Sequence, residues 1–198
     1  MGGILSILDF SSQFNNNLLG VCLLIWVIIE YRIIMKQDKR PKKKDRKAIT
    51  LFAILIVLFS LSSIIMFESN LGHLGEEHHY FFWVGILIII VGNIIRQYSM
   101  HIMGSSYVAT LQVQDKPKLI KVGPFKLVRH PCYTGFMISL WGLGFASLNW
   151  FFLLLIMLFS LGVFLIQIRI EERELEAFFG EEYKEYKKTT KKILPYIL

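Results

Sequence analysis

The sequence is poor in cysteine, with Cys22 and Cys132 alone among 198 residues. Two thiols at that spacing make neither a disulfide framework nor a metal-ligand pattern, so both read as packing residues. Lys and Arg are absent before Arg32. A secretory signal needs a basic start ahead of its apolar core, so none is read here. Internal repeats are absent, and low complexity is confined to one basic loop. Acidic residues are the scarcer sign, 15 Asp plus Glu against 22 Lys plus Arg, giving a formal net charge of +7. A basic excess can mark nucleic-acid binding, but these cations cluster beside apolar runs, where anionic lipid headgroups are the nearer partner. Nucleic acid is therefore not an expected partner, and membrane lipids are.

What the chain has in quantity is apolar surface. Hydrophobic residues make up 54% of it, the mean hydropathy is +0.51, and several apolar runs approach the length that crosses a bilayer. This predicts an all-α integral membrane protein, multi-pass, forming a single membrane domain over 1–198. Five transmembrane helices are expected, at about 18–35, 48–67, 80–100, 131–148 and 150–168. The loop 36–47, KQDKRPKKKDRK, is dense in Lys and Arg, and the positive-inside rule assigns it to the cytoplasm. The N-terminus is then non-cytoplasmic and the C-terminus cytoplasmic, in what is expected to be the cell membrane. The loop 68–79, ESNLGHLGEEHH, lacks Lys and Arg, as suits the opposite side. Its His73, Glu76, Glu77, His78 and His79 match no metal motif of defined geometry, so no metal is expected. Gly85 and Gly92, a heptad apart in the third span, offer a seam where another helix can approach closely.

Residues 101–128 regain lysines and are too long for a mere connection; segments of this size in compact proteins are usually functional. Apolar residues there alternate with the breakers Pro117, Gly123 and Pro124, predicting an irregular or partly extended segment folded over the membrane face as one wall of a pocket. It leads into RHPCYTG, 129–135, which packs guanidinium, imidazole, phenol and hydroxyl groups into one turn. Pro131 suits the first turn of a helix, where its missing N–H has no partner to lose. The free N–H groups of that turn and Arg129 together form an anion-binding corner. Arg129 is the first candidate to orient a carboxylate in catalysis, because guanidinium offers a planar two-donor fork; whether that carboxylate belongs to substrate or cofactor stays open.

Asn149 leaves room only for a tight turn between the fourth and fifth spans, which predicts an antiparallel hairpin, with Gly142 and Ala146 letting its two backbones approach. The hairpin brings Gln167, Arg169, Glu171 and Glu172 level with Arg129, His130 and Tyr133. The tail 170–192 reads as a C-terminal amphipathic helix interrupted at Gly180, with Leu175, Phe178, Phe179, Tyr183 and Tyr186 roughly on one side. A solvated continuation of the fifth span is the weaker reading, because it would strand those aromatics.

Two blocks stand together: GPFKLVRHPCYTG before one helix of the hairpin, and EERELEAFFGEEYKEYKK after the other. The pair resembles the isoprenylcysteine carboxyl methyltransferase family, with phosphatidylethanolamine methyltransferases as looser relatives, over roughly 112–198. A chain this short with five expected spans looks like a prokaryotic form. The resemblance implies a helical membrane enzyme that binds S-adenosylmethionine at the cytoplasmic surface, releases S-adenosylhomocysteine, and methylates the C-terminal carboxylate of a prenylated cysteine entering from the bilayer. Carried over position by position, cofactor contacts fall at Gln112, Pro117, Lys118, Leu119, Ile120, Phe125, His130, Pro131, Cys132, Tyr133 and Glu171. This chain departs from the pattern with Pro117 where many relatives have His, Phe125 for a common Tyr, and Gln167 where relatives often carry a substrate-binding Arg. Substrate contacts are expected at Gln167 and Arg129, with Arg169 two residues on.

The chemistry agrees in one respect: a carboxylate is ionised near neutrality, so methyl transfer to it needs no general base. A rival reading, N-methylation of a phosphatidylethanolamine-type lipid, needs a base, for which Glu172 or His130 could serve. A non-catalytic scaffold or transporter is a third reading; a transporter would line several spans with polar residues at mid-depth, where these spans are nearly all apolar.

Overall fold

The run from Tyr80 carries no charge before Arg96, and it forms helix α1, Tyr80–Met103. The structure, a computed structural model, describes residues 80–104 and 119–194, with Val21, Ile28, Gly72, Leu74 and His78 besides. The chain divides into two units, Met1–Asn70 and Leu71–Leu198, and α1 belongs to the second with every element after it. The spans expected at 18–35 and 48–67 lie outside the described residues, as do Gln112, Pro117 and Lys118.

After α1 come a 3-10 turn, Gly123–Lys126, and helices α2, Pro131–Ala146, α3, Trp150–Phe179, and α4, Glu181–Thr189. Helices α1 and α3, of 24 and 30 residues, are long and apolar enough to cross a membrane. At about 1.5 Å per residue α3 rises roughly 45 Å, more than the ~30 Å hydrocarbon core, so its polar end projects past the apolar layer. The shorter α2 begins at Pro131, which occupies the first turn as its missing N–H allows. Between α2 and α3 only Ser147, Leu148 and Asn149 intervene, and the Asn149 side chain caps α3 by accepting from Phe152 N at 2.9 Å.

Helices α1 and α2 run antiparallel with their backbones nearly touching. A Cβ added at Gly85 would stand 2.6 Å from Gly142 O, and one at Gly92 would stand 2.6 Å from Gly135 O. The glycine seam on α1 is therefore filled by α2. This corrects the expectation for Gly142 and Ala146, which face α1 and not the following helix. They continue the stripe begun by Gly135 and Ser139, which Gly85 and Gly92 of α1 meet. Helix α3 packs on another stripe of α2 with bulkier groups. There Gly144 faces Leu153 and Ile156, Trp141 Nε1 donates to Ser160 Oγ at 3.0 Å, and Phe164 meets Tyr133 and Phe136 at ring-centroid distances of 5.3 and 5.5 Å.

The tail also differs from expectation. Helix α3 continues to Phe179, and the amphipathic helix begins only at Glu181. Residues 169–179, RIEERELEAFF, contain no Gly or Pro, so nothing stops propagation until Gly180, whose φ of 56° ends the helix. The aromatics divide accordingly: Phe178 is left 47% exposed, while Tyr183 and Tyr186, beyond the turn, are buried.

Candidate active site

The polar groups gather where α2 begins and α3 leaves its apolar stretch. Arg129 is 9% exposed. Its Nε donates to Glu172 Oε1 at 2.7 Å, and its Nη1 donates to Thr190 O. Burial alone would raise the Glu172 carboxyl, but the approach of His130 and the hydrogen bond and charge of Arg129 outweigh it and lower the group from 4.5 to about 2. Glu172 lies beyond the apolar stretch 150–168 and stays a carboxylate at any physiological pH.

His130 stands between two carboxylates. Its Nδ1 is 3.6 Å from Glu171 Oε2 and its Nε2 is 3.6 Å from Glu172 Oε1, while its ring stacks on Tyr133 with centroids 5.8 Å apart. The neighbouring glutamates differ in status. The Glu172 side chain is 9% exposed and ion-paired; that of Glu171 is 38% exposed. Glu171 Oε2, His130 Nε2 and Tyr183 OH are buried polar atoms with no hydrogen-bond partner among the described residues. Buried polar atoms left unmatched by the chain are uncommon and mark a place where water or a ligand completes the bonding.

The structure brings His130, Tyr133 and Glu171 together, with Pro131 and Cys132 buried beneath them. Cys132 is a packing residue on its Sγ side, 3.8 Å from Met103 Sδ. Leu119 and Ile120 are half-buried, and Phe125 is buried with its carbonyl accepting from Tyr186 OH at 2.6 Å. Burial pushes the Tyr186 hydroxyl up to about 12, so it remains a donor. Gln167 is half-buried on α3 and Arg169 is exposed. Arg129 was expected to orient a ligand carboxylate; the carboxylate it meets is the chain's own Glu172.

Sequence reasoning passed over Arg96. It is buried on α1, its guanidinium 4.7 Å from the centroid of Phe136, with Nη1 donating to Cys132 O at 3.3 Å. A lone cation closing an apolar run was the available signal, since such a charge inside a bundle needs a partner. Thr190 gave no signal, because its contact with Arg129 spans 61 residues.

The described residues form a helical bundle with two helices long and apolar enough to cross a bilayer and polar groups gathered at one end. The fold is similar to that of a solved eukaryotic intramembrane Ras methyltransferase, isoprenylcysteine carboxyl methyltransferase. The match has a TM-score of 0.58 and 23% identity and covers 75% of this chain and 53% of that one. Residues 80–182 match the family model described as phospholipid methyltransferase. A probable protein-S-isoprenylcysteine O-methyltransferase of Oryza sativa subsp. indica is 32% identical over 124 residues, covering 62% of this chain and 65% of the relative. Protein-S-isoprenylcysteine O-methyltransferase A of Arabidopsis thaliana is 30% identical over 169 residues, covering 76% and 75%. The chain belongs to this family of phospholipid and isoprenylcysteine methyltransferases.

Proposed function

We propose that this protein is an integral membrane methyltransferase using S-adenosylmethionine to methylate the C-terminal carboxylate of a prenylated cysteine, or a similar lipophilic carboxylate. The observation that carries this is the unequal state of the two adjacent glutamates. Glu172 is consumed by Arg129 and too weak a base to take a proton, while Glu171 offers an unmatched oxygen at a half-open edge. That arrangement suits a reaction without a base and a ligand carrying an ammonium group.

S-adenosylmethionine, when bound, supplies a methyl group on a positively charged sulfur for direct displacement by a carboxylate oxygen, leaving S-adenosylhomocysteine with no proton moved. Glu171 accepts from the cofactor's ammonium group, and the stacked His130 and Tyr133 hold its polar and adenine parts. Pro131 and Cys132 shape the first turn of α2 against it, and Leu119, Ile120 and Phe125 flank it; the contacts that the family resemblance implies at Gln112, Pro117 and Lys118 fall outside the described residues. Gln167 lies on the substrate side. Arg129 acts at one remove, by fixing Glu172. The apolar walls of α2 and α3 exclude water, which would otherwise solvate the nucleophile. The five-span topology, with the N-terminus non-cytoplasmic, α2 and α3 as a membrane hairpin and the site on the cytoplasmic side of the cell membrane, lets a prenyl tail stay in lipid while its polar end meets the cofactor.

The matching family model favours one other reading, N-methylation of a phospholipid amine. It requires a base, and with Glu172 unavailable that duty falls to His130. Supplying methyl-labelled S-adenosylmethionine with a prenylcysteine analogue or with phosphatidylethanolamine separates the two. A base-labile labelled ester is expected from the first; label confined to the phospholipid overturns the proposal. Glu171→Gln is expected to weaken cofactor binding about tenfold in a titration, as loss of a charge-assisted bond implies. Unchanged affinity removes Glu171 from the site.

A further inference from the structure

The turn that presents His130 is held by a segment far away in sequence. His130 precedes α2 without any side-chain cap of its own. Its backbone N–H donates to Lys192 O at 3.0 Å, Arg129 N–H donates to Lys191 O at 2.8 Å, and Lys191 N–H returns to Leu127 O at 3.2 Å. This is a short parallel pairing centred on Val128 and Lys191. Two side chains extend it: Thr134 Oγ1, shared between Ile193 O at 2.8 Å and the longer contact to His130 O at 3.2 Å, and Arg129 Nη1, which donates to Thr190 O. Ile193 is fully buried, Thr190 is buried, and Thr190 Oγ1 is tied to Tyr186 O at 2.6 Å. Tyr186 in turn grips Phe125 O on the other side of the same turn.

We infer that residues 190–193 are a positioning strap for the cofactor site, and that Arg129 and Thr134 are positioning residues acting through it. Among the described residues the strap's hydrogen bonds go to Leu127, Arg129, His130, Thr134 and Tyr186 and not to Glu171. Its bonds go to the backbone that sets where the His130 ring stands between Glu171 and Glu172. A displaced strap leaves both glutamates on α3 while His130 loses its register, so the site is lost with every one of its side chains still present. This rests on the reading of His130 and Glu171 as cofactor contacts.

Two variants of the full-length protein test it. Thr134→Val removes one buried donor with little change of shape, and Lys191→Pro removes the N–H given to Leu127. Without ligand, the Arg129 and His130 amides are expected to exchange with deuterium at least about tenfold faster in both variants. The affinity of Thr134→Val for S-adenosylmethionine is expected to fall about 5- to 10-fold, as for one lost buried hydrogen bond. Thr134→Ser, which keeps the hydroxyl, restores both readouts. Ile156→Val, fully buried elsewhere between α2 and α3, lowers thermal stability without moving either. Unchanged exchange in both variants overturns the strap. Faster exchange with unchanged cofactor affinity overturns its positioning role. Wild-type protein that takes up no S-adenosylmethionine overturns the functional reading, while exchange still decides whether the strap holds His130.

Discussion

Between α1 and α2 the close approach is made by what is missing: Gly85 and Gly92 on one helix and Gly135 and Gly142 on the other let main chains meet, with the bonds of Arg96 to Cys132 O and of Ser139 Oγ to Ile89 O beside them. At the polar end of the same α2 the contact is made by what is present. Arg129, Glu172, Thr134 and the strap are joined donor to acceptor. The glycine seam admits no added atom. At the polar end each group depends on its partner, because a buried donor or charge left alone keeps its full desolvation cost.

The largest effect that would sharpen this contrast is at Glu172. Glu172→Ala leaves Arg129 charged and buried, and a loss of about 3–5 kcal/mol is expected in thermal or denaturant unfolding in detergent. Replacing both partners with apolar residues, Arg129→Met with Glu172→Leu, is expected to recover much of that stability but none of the cofactor affinity. Equal losses in single and double variants would show that the pair is not the unit holding this end.

Next comes acid. The Glu172 carboxyl is held at about 2 in the folded chain against an ordinary 4.5, so its contribution is complete above pH 4.5 and is lost as pH falls toward 2. Its size is roughly 3 kcal/mol. An unfolding series between pH 5 and 2 is expected to show that loss in wild-type protein and a shallower one in Glu172→Gln; parallel slopes would break the assignment.

Smaller effects separate the two faces of α2. Gly92→Ala puts a Cβ against the Gly135 carbonyl and Ser139 and is expected to cost about 1–3 kcal/mol by overpacking. Gly144→Ala meets Leu153 Cδ1 and Ile156 Cγ2 but also the Leu153 Cα, at 2.8–3.0 Å against 2.5–2.6 Å for Gly92, and Ala gains about 1 kcal/mol of helix propensity over Gly. It is expected to cost less than Gly92→Ala. Equal melting temperatures for the two would mean that the α1 contact is no closer than the α3 contact.

Part of this was legible from residues alone. Pro131 marked the start of α2 because its lost N–H is harmless only in the first turn. Gly85 and Gly92 announced a close approach, and the short link at Asn149 put His130 at the level of Glu171. The partner in each approach was less legible. Gly142 and Ala146 point to a close helix, which the sequence reading takes to be α3 and which is α1, since a small-residue stripe is the same pattern whichever neighbour it meets. The length of α3 was hidden for a similar reason: RIEERELEAFF favours a helix whether it continues the span or starts anew.

By itself the sequence determined the apolar runs, the first turn of α2, the break at Gly180, and the presence of an acid pair near the RHP turn. Each follows from local chemistry: a missing N–H, a missing Cβ, a run without charge. Only the tertiary structure decided which glutamate binds Arg129 and which keeps an unmatched oxygen. Adjacent residues on a helix point about 100° apart, and nothing in Glu171-Glu172 says which direction is inward. Packing of α3 against α2, and the return of residues 190–193 across the turn, fixed that direction and turned Arg129 toward the protein's own carboxylate.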